Sequence, residues 1–118
     1  MRAAILVATA TLAFSVPGGA ALAHHGWSSY DNAKTLTLST KVVESRWGSP
    51  HGSLVIAVEG KRWDVVLAPV ARMEARGLAR EDIAVGKTVT VVGYPRRDGT
   101  AEIRAERVIV GAKTVELR

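Results

Sequence analysis

From Thr35 onward the chain runs in short stretches of alternating apolar and polar residues, the period of a strand with one face buried. In the first stretch, TLTLSTKVVESRW, Leu36, Leu38 and Val42 fall on one face, and the adjacent pair Val42-Val43 breaks the alternation. An inserted residue swaps the faces beyond it, so the pattern predicts a long strand bent by a bulge near its middle. Leu54, Ile56 and Val58 share one face of a second strand, and Trp63, Val65 and Leu67 share one face of a third. Glu59-Gly60 between them is the tight turn of a β-hairpin. Pro69 then has the place of a first-turn helix proline, Val70 and Met73 lie three apart, and Gly77 is set to end the segment in a left-handed cap, which predicts a helix of about two turns. Leu78, Ile83 and Val85 are the expected core pegs of a connector leading to a fourth strand, TVTVVGY. Asp98-Gly99 signals a two-residue hairpin turn into a fifth strand, AEIRAERVIV, and TVEL extends the edge.

Three strands, one short helix and two more strands, with the first strand long and bulged, predict an all-β fold. The order is that of an OB-type five-stranded Greek-key barrel with one short helix between strands 3 and 4. The rival is an open antiparallel sheet with a helix on one face. Closure is favoured because it removes exposed strand edges.

The residues before Thr35 follow a different logic. Met1-Arg2 is a short positive region, Ala3 to Val16 is an apolar run, and Pro17-Gly18-Gly19 breaks it ahead of the small residues Ala21 and Ala23. These are the three regions of a secretory signal peptide, with cleavage expected after Ala23 and a periplasmic or secreted destination. The apolar run is shorter than the ~20 residues that span a bilayer, so no transmembrane segment is expected after cleavage. The domain plan is a signal peptide over 1–23, an N-terminal arm over 24–34 and an OB-like barrel over 35–118. Taking 23 residues from the chain's 118 leaves 95, enough for one domain with one small core. The chain has no cysteine, so export brings no disulfide and stability rests on that core. The formal net charge of +5 falls by one when Arg2 is removed, a modest basic balance interleaved with acidic residues as on a mixed solvated surface. A monomer is expected.

Charge patterning and motifs leave three places for chemistry. Cleavage after Ala23 gives His24 a free α-amine of pKa ~8 beside its own imidazole, and the two can chelate one metal ion. His25 can add its ring, or the amide between them, and nitrogen-rich sets of this kind favour copper(II). The second place is RWGSPHGS over 46–53, where His51, the remaining histidine, lies between the first two strands in the loop that borders the usual ligand face of an OB barrel. An arm folded back over that face would bring His24, His25 and His51 together. Trp27, Tyr30, Asp31, Trp47 and Pro50 are the other expected residues of the ligand face. Against this stands the plain reading of Gly48, Ser49, Pro50 and Gly52 as turn residues around a polar loop histidine. The third place is YPRRDGT over 94–100, where Arg96 and Arg97 could hold a phosphate or carboxylate but read first as a solvated hairpin tip.

Enzymatic chemistry finds little support. No cysteine nucleophile or serine elbow is present, Asp31, Asp64 and Glu74 form no recognisable pair, and no two histidines stand four apart on a helix as a zinc hydrolase would need. Nucleic-acid binding would want aromatic residues interleaved with basic ones on strand faces, whereas Trp63 falls on an apolar face. The expected partners are a metal ion or an envelope protein.

The stretches AHHGWSSYD, LTLSTKVVESRWGSPHGS, RGLAREDIAVGKTVTV and YPRRDGT together resemble a family of small exported bacterial proteins of unknown function. Its members begin the mature chain with Ala-His-His and an aromatic-Asp pair, and carry a Trp-x-Asn-Pro-His turn and a Pro-x-Arg-Asp-Gly turn. Ser49 stands where the family has Asn, and Thr40 where it usually has Gly. The resemblance implies an exported single domain with an OB-like barrel and brings no reaction with it. The chain is thus expected to be a non-enzymatic binding module that coordinates copper through its mature N-terminal histidines. The alternative is a module that binds a periplasmic protein, peptide or glycan with no metal role.

Overall fold

A computed structural model describes residues 26–118. The segment read as a signal peptide, 1–23, and His24 and His25 lie outside the described residues. Six strands follow one another in the chain: β1 (Leu36–Arg46), β2 (Ser53–Val58), β3 (Lys61–Val66), β4 (Thr88–Pro95), β5 (Glu102–Val110) and β6 (Lys113–Glu116). The helix α1 (Val70–Ala75) stands between β3 and β4 in sequence. The sheet order is β3-β2-β1-β4-β5-β6, and β3 also pairs with β5. That extra pairing is parallel, Asp64 to Glu102 through Val66 to Arg104, and it closes β1 to β5 into the predicted OB-type barrel. β6 continues the sheet on the half of β5 that β3 does not reach, from Arg107 to Val110.

Local sequence explains the joints. The register of β1 on β2 shifts between Val42 and Glu44, so the bulge falls at Val43, where the alternation breaks. Val43 is exposed while Val42 is 2 % exposed. Thr40 stays in the regular ladder opposite Val89. Glu59 and Gly60 have φ of 51° and 77°, the left-handed pair of a two-residue hairpin turn that matches strand twist. At the end of α1 the amide of Leu78 bonds to Met73 O at 2.9 Å and that of Gly77 to Glu74 O at 3.1 Å. This is a Schellman cap with Gly77 left-handed, and Met73 and Leu78 supply its buried apolar contact.

Two expectations are corrected. Val85 is no core peg: it is 66 % exposed. The backbone at Gly86 and Lys87 is held by Val42 O and Val42 N, both at 2.9 Å, and Val85 forms the outer corner of that turn. Asp98-Gly99 is not a two-residue turn, because β4 ends at Pro95 and β5 starts at Glu102. The turn closes wider, where the Arg96 amide donates to Glu102 O at 3.1 Å, and Arg96 also bridges Tyr30.

Inside the barrel lies one core that includes Val42, Leu54, Ile56, Val65, Met73, Ile83, Val91, Ile103 and Val108. Gly93 on β4 lies so close to β5 that a Cβ there would stand 2.1 Å from Arg104 O. Among the described residues no helix is long and apolar enough to cross a membrane.

Candidate functional site

The buried positions of β2 and β3, such as Leu54, Ile56 and Val65, fix which side chains face out. Strand register then lines up two rows across the outer surface of β1, β2, β3 and β5. One row runs Glu44, Val55, Asp64, Glu102, and its neighbour runs Arg46, Ser53, Val66, Arg104. Neighbours within a row lie about 4.8 Å apart and the two rows about 6.6 Å apart, so an acidic row lies beside one with an arginine at each end, with Val55 and Val66 between the charges. A groove of about 280 Å³ opens over these rows, and His51 from the β1–β2 loop borders it together with Arg46, Asp64 and Glu102. This is the face bounded by the first and fourth strand-to-strand loops, where OB barrels take oligonucleotides and oligosaccharides.

The N-terminal arm is docked beside that groove. Trp27–Ser29 form a 3-10 turn, and Tyr30 makes an antiparallel bridge to Arg96. The Asp31 amide donates to Pro95 O at 2.8 Å, and the Arg97 amide donates to Ser29 O at 3.0 Å. Tyr30 is 1 % exposed, and its hydroxyl donates to Glu102 Oε2 at 2.7 Å. Arg96 reaches the same carboxylate at 3.3 Å and Asp98 at 3.1 Å. Burial, then the hydrogen bond to Glu102, push the Tyr30 phenol well above its ordinary range. Trp27 meets Tyr94 edge-on at 6.0 Å and lies under the guanidinium groups of Arg104 at 4.2 Å and Arg118 at 4.7 Å. Burial pulls the Arg104 guanidinium below its usual range, and the like charges of Arg72 and Arg118 add to that pull. Glu102 is therefore shared: it anchors the arm and forms part of the groove wall.

His51 Nδ1 lies 2.9 Å from Gly52 O. A carbonyl only accepts, so Nδ1 carries the proton in this contact and the lone pair of the neutral ring sits on Nε2. Gly52 itself is packed against α1, since a Cβ there would stand 2.7 Å from Met73 Cε.

The expected site residues among those described fall into three groups. Trp27, Tyr30 and Asp31 hold the arm on the barrel. His51 stands at the groove. Trp47 and Pro50, from the same loop as His51, border a cavity beside α1 instead. His24 and His25 lie outside the described residues. Among the described residues no three His, Asp, Glu or Cys side chains gather to hold a metal ion. Arg96 and Arg97, read first as a solvated hairpin tip, in fact hold the arm. No sequence pattern marks Glu102 or Arg104, and Arg46 enters only as the first residue of the RWGSPHGS stretch. The alternation of AEIRAERVIV places Glu102 and Arg104 opposite Ile103 and Ala105, but only strand register shows what they face.

The model of a family described as a family of unknown function (DUF6152) matches residues 12–104, well over half of the chain, and the chain belongs to that family. No curated protein matches it.

Proposed function

We propose that this member of the family is an exported, non-enzymatic binding module whose ligand is a transition metal, copper first. In this proposal the signal peptide ends at Ala23, the His24 amine and imidazole form a chelate, and His25 and His51 complete the donor set. The carrying observation is the arm: it docks through Glu102, a residue that borders the same groove as His51. The six steps from Tyr30 back to His24 span at most about 20 Å of extended chain, a reach that would let the histidine pair meet His51. The Nδ1–H contact to Gly52 O lends further support, because a ligating histidine commonly donates its other ring N–H to a carbonyl or carboxylate.

The test is copper(II) titration followed by EPR on three proteins: one starting at His24, one with a single extra residue before it, and one starting at His24 with His51→Ala. Tight nitrogen-rich binding in the first and weakened binding in the other two is the expected result. Equal, weak binding in all three refutes the proposal.

A second reading has its own support. Arg46 and Asp64 border the groove and make no side-chain hydrogen bond or ion pair among the described residues. Charges left uncommitted around apolar Val55 and Val66 suit an envelope protein, peptide or glycan bound directly, with the histidines incidental. A partner that co-purifies in the presence of chelator, and is lost when residues 24–33 are removed, favours this reading over the metal.

A further inference from the structure

We infer a second ligand site, built around Trp47, that takes the pyranose ring of a neutral saccharide. The site is independent of the groove and of the histidines. Trp47 follows β1 directly, and its indole packs one part against the core while the rest remains accessible. Two cavities, of about 490 Å³ and 390 Å³, open beside α1, one towards its C-terminal end and one towards its N-terminal end, and Trp47 is the residue both share. Both volumes fall in the range of about 300–1,000 Å³ typical of small-molecule sites. Small residues make up part of each lining, Gly77 and Ala79 in the first and Gly48 and Ala71 in the second.

The polar groups decide the ligand class. Glu74, Arg80 and Glu81 line the larger cavity, and none of them makes a side-chain hydrogen bond or ion pair among the described residues. Much of the charge elsewhere is engaged: Arg96 with Asp98 and Glu102, Arg62 with Glu44, Lys113 with Asp82, and Arg107 with Glu116. Two carboxylates and one guanidinium around an indole offer acceptors, donors and a flat apolar surface at once. A pyranose has the matching anatomy, with a C–H face that lies on an aromatic ring and a rim of hydroxyls that both donate and accept. An anionic ligand meets the two carboxylates, and a cationic one meets Arg80. A purely apolar ligand would have to strip water from three charges without replacing it. The neutral, hydroxyl-rimmed ring suffers none of these costs.

The chain has three tryptophans, so a nitrogen–proton correlation spectrum of the purified protein contains one indole signal each for Trp27, Trp47 and Trp63. Titration with cellohexaose and with chitohexaose, up to roughly 10 mM, covers the millimolar range expected of a single-ring contact. The Trp47 signal is expected to move saturably with at least one of them while Trp27 and Trp63 stay in place. Trp47→Ala should abolish binding. Because Trp47 also packs against the core, Glu81→Gln at an exposed position keeps the test independent of folding, and it should weaken binding at least threefold. His51→Ala should leave the affinity unchanged, which separates this site from the groove. A Trp47 signal unmoved by both sugars, or binding that survives Trp47→Ala, overturns the inference.

Discussion

Replacing Tyr30 separates an arm that is part of the domain from a tail resting on it. Tyr30→Phe keeps the buried ring and removes only the hydroxyl that donates to Glu102 at 2.7 Å. A hydrogen bond to a charged group contributes about 1.5–3 kcal/mol. The lower end applies here, because Glu102 keeps Arg96 as a partner at 3.3 Å. About 1.4 kcal/mol corresponds to a tenfold change in an equilibrium, so the undocked population should rise roughly tenfold. Tyr30→Ala also removes the ring, a loss of about 3–5 kcal/mol for a buried aromatic, and should leave the arm undocked. The barrel should hardly notice, because its core cluster does not include Tyr30. Amide hydrogen exchange reads both levels at once. Asp31 N–H, bonded to Pro95 O, and Arg97 N–H, bonded to Ser29 O, report docking. Both should exchange about tenfold faster in Tyr30→Phe and lose protection in Tyr30→Ala, while the amide of Val91 in the barrel stays protected in both. Equal protection of the Asp31 amide in all three proteins would refute the reasoning. So would barrel amides that open in step with the arm.

Other outcomes follow from the same geometry. Gly93→Ala drives a Cβ to 2.1 Å from Arg104 O, a backbone contact that only separation of β4 from β5 can relieve. It should cost more than about 3 kcal/mol and lower the melting temperature by more than about 12 °C, and a melt within a few degrees of the parent would contradict the close strand approach. The raised Tyr30 phenol favours the docked arm fully below the ordinary phenol range near pH 10, and that contribution is lost as pH rises towards the folded value. Exchange at Asp31 should therefore speed up in alkali beyond its intrinsic pH dependence, and Tyr30→Phe should lack the extra limb. The Asp98 carboxyl is held well below the usual carboxylate range, first by the Thr100 amide and then by Arg96. Its contribution is present above the ordinary carboxylate range and is lost only as pH falls through the lowered value, so the Thr100 amide should stay protected through mild acid. Asp98→Ala should expose that amide at every pH, with little change in melting temperature.

Much of the fold was legible because its joints are local. Glu59-Gly60 specifies its turn through two left-handed residues, Gly77 specifies its cap, and Val42-Val43 marks the bulge by breaking a period of two. Where the reading failed, a distant contact intervened. Val85 looked like a core residue by spacing, but the pairing of Val42 with Gly86 and Lys87 turns it outward. Asp98-Gly99 looked like a tight hairpin, but the hairpin closes wider, where the Arg96 amide donates to Glu102 O, and Arg96 bridges the arm as well. The candidate site was less legible than the fold. His51 stood out by type and by its place in a loop, whereas Glu102, Arg46 and Asp64 acquire meaning only when strand register sets them on one surface.

Sequence alone determined the succession of strands and short helix along the chain, the order that points to a five-stranded barrel, because period, turn residues and caps act over a few neighbouring positions. The closing pairing of β3 with β5 is tertiary. Tertiary structure decided which loop residues share a surface. It split the β1–β2 loop, with His51 at the groove and Trp47 beside α1, and it fastened Tyr30 to a glutamate 72 positions away. Such pairings depend on register and on the curvature of the closed sheet, which no local pattern encodes.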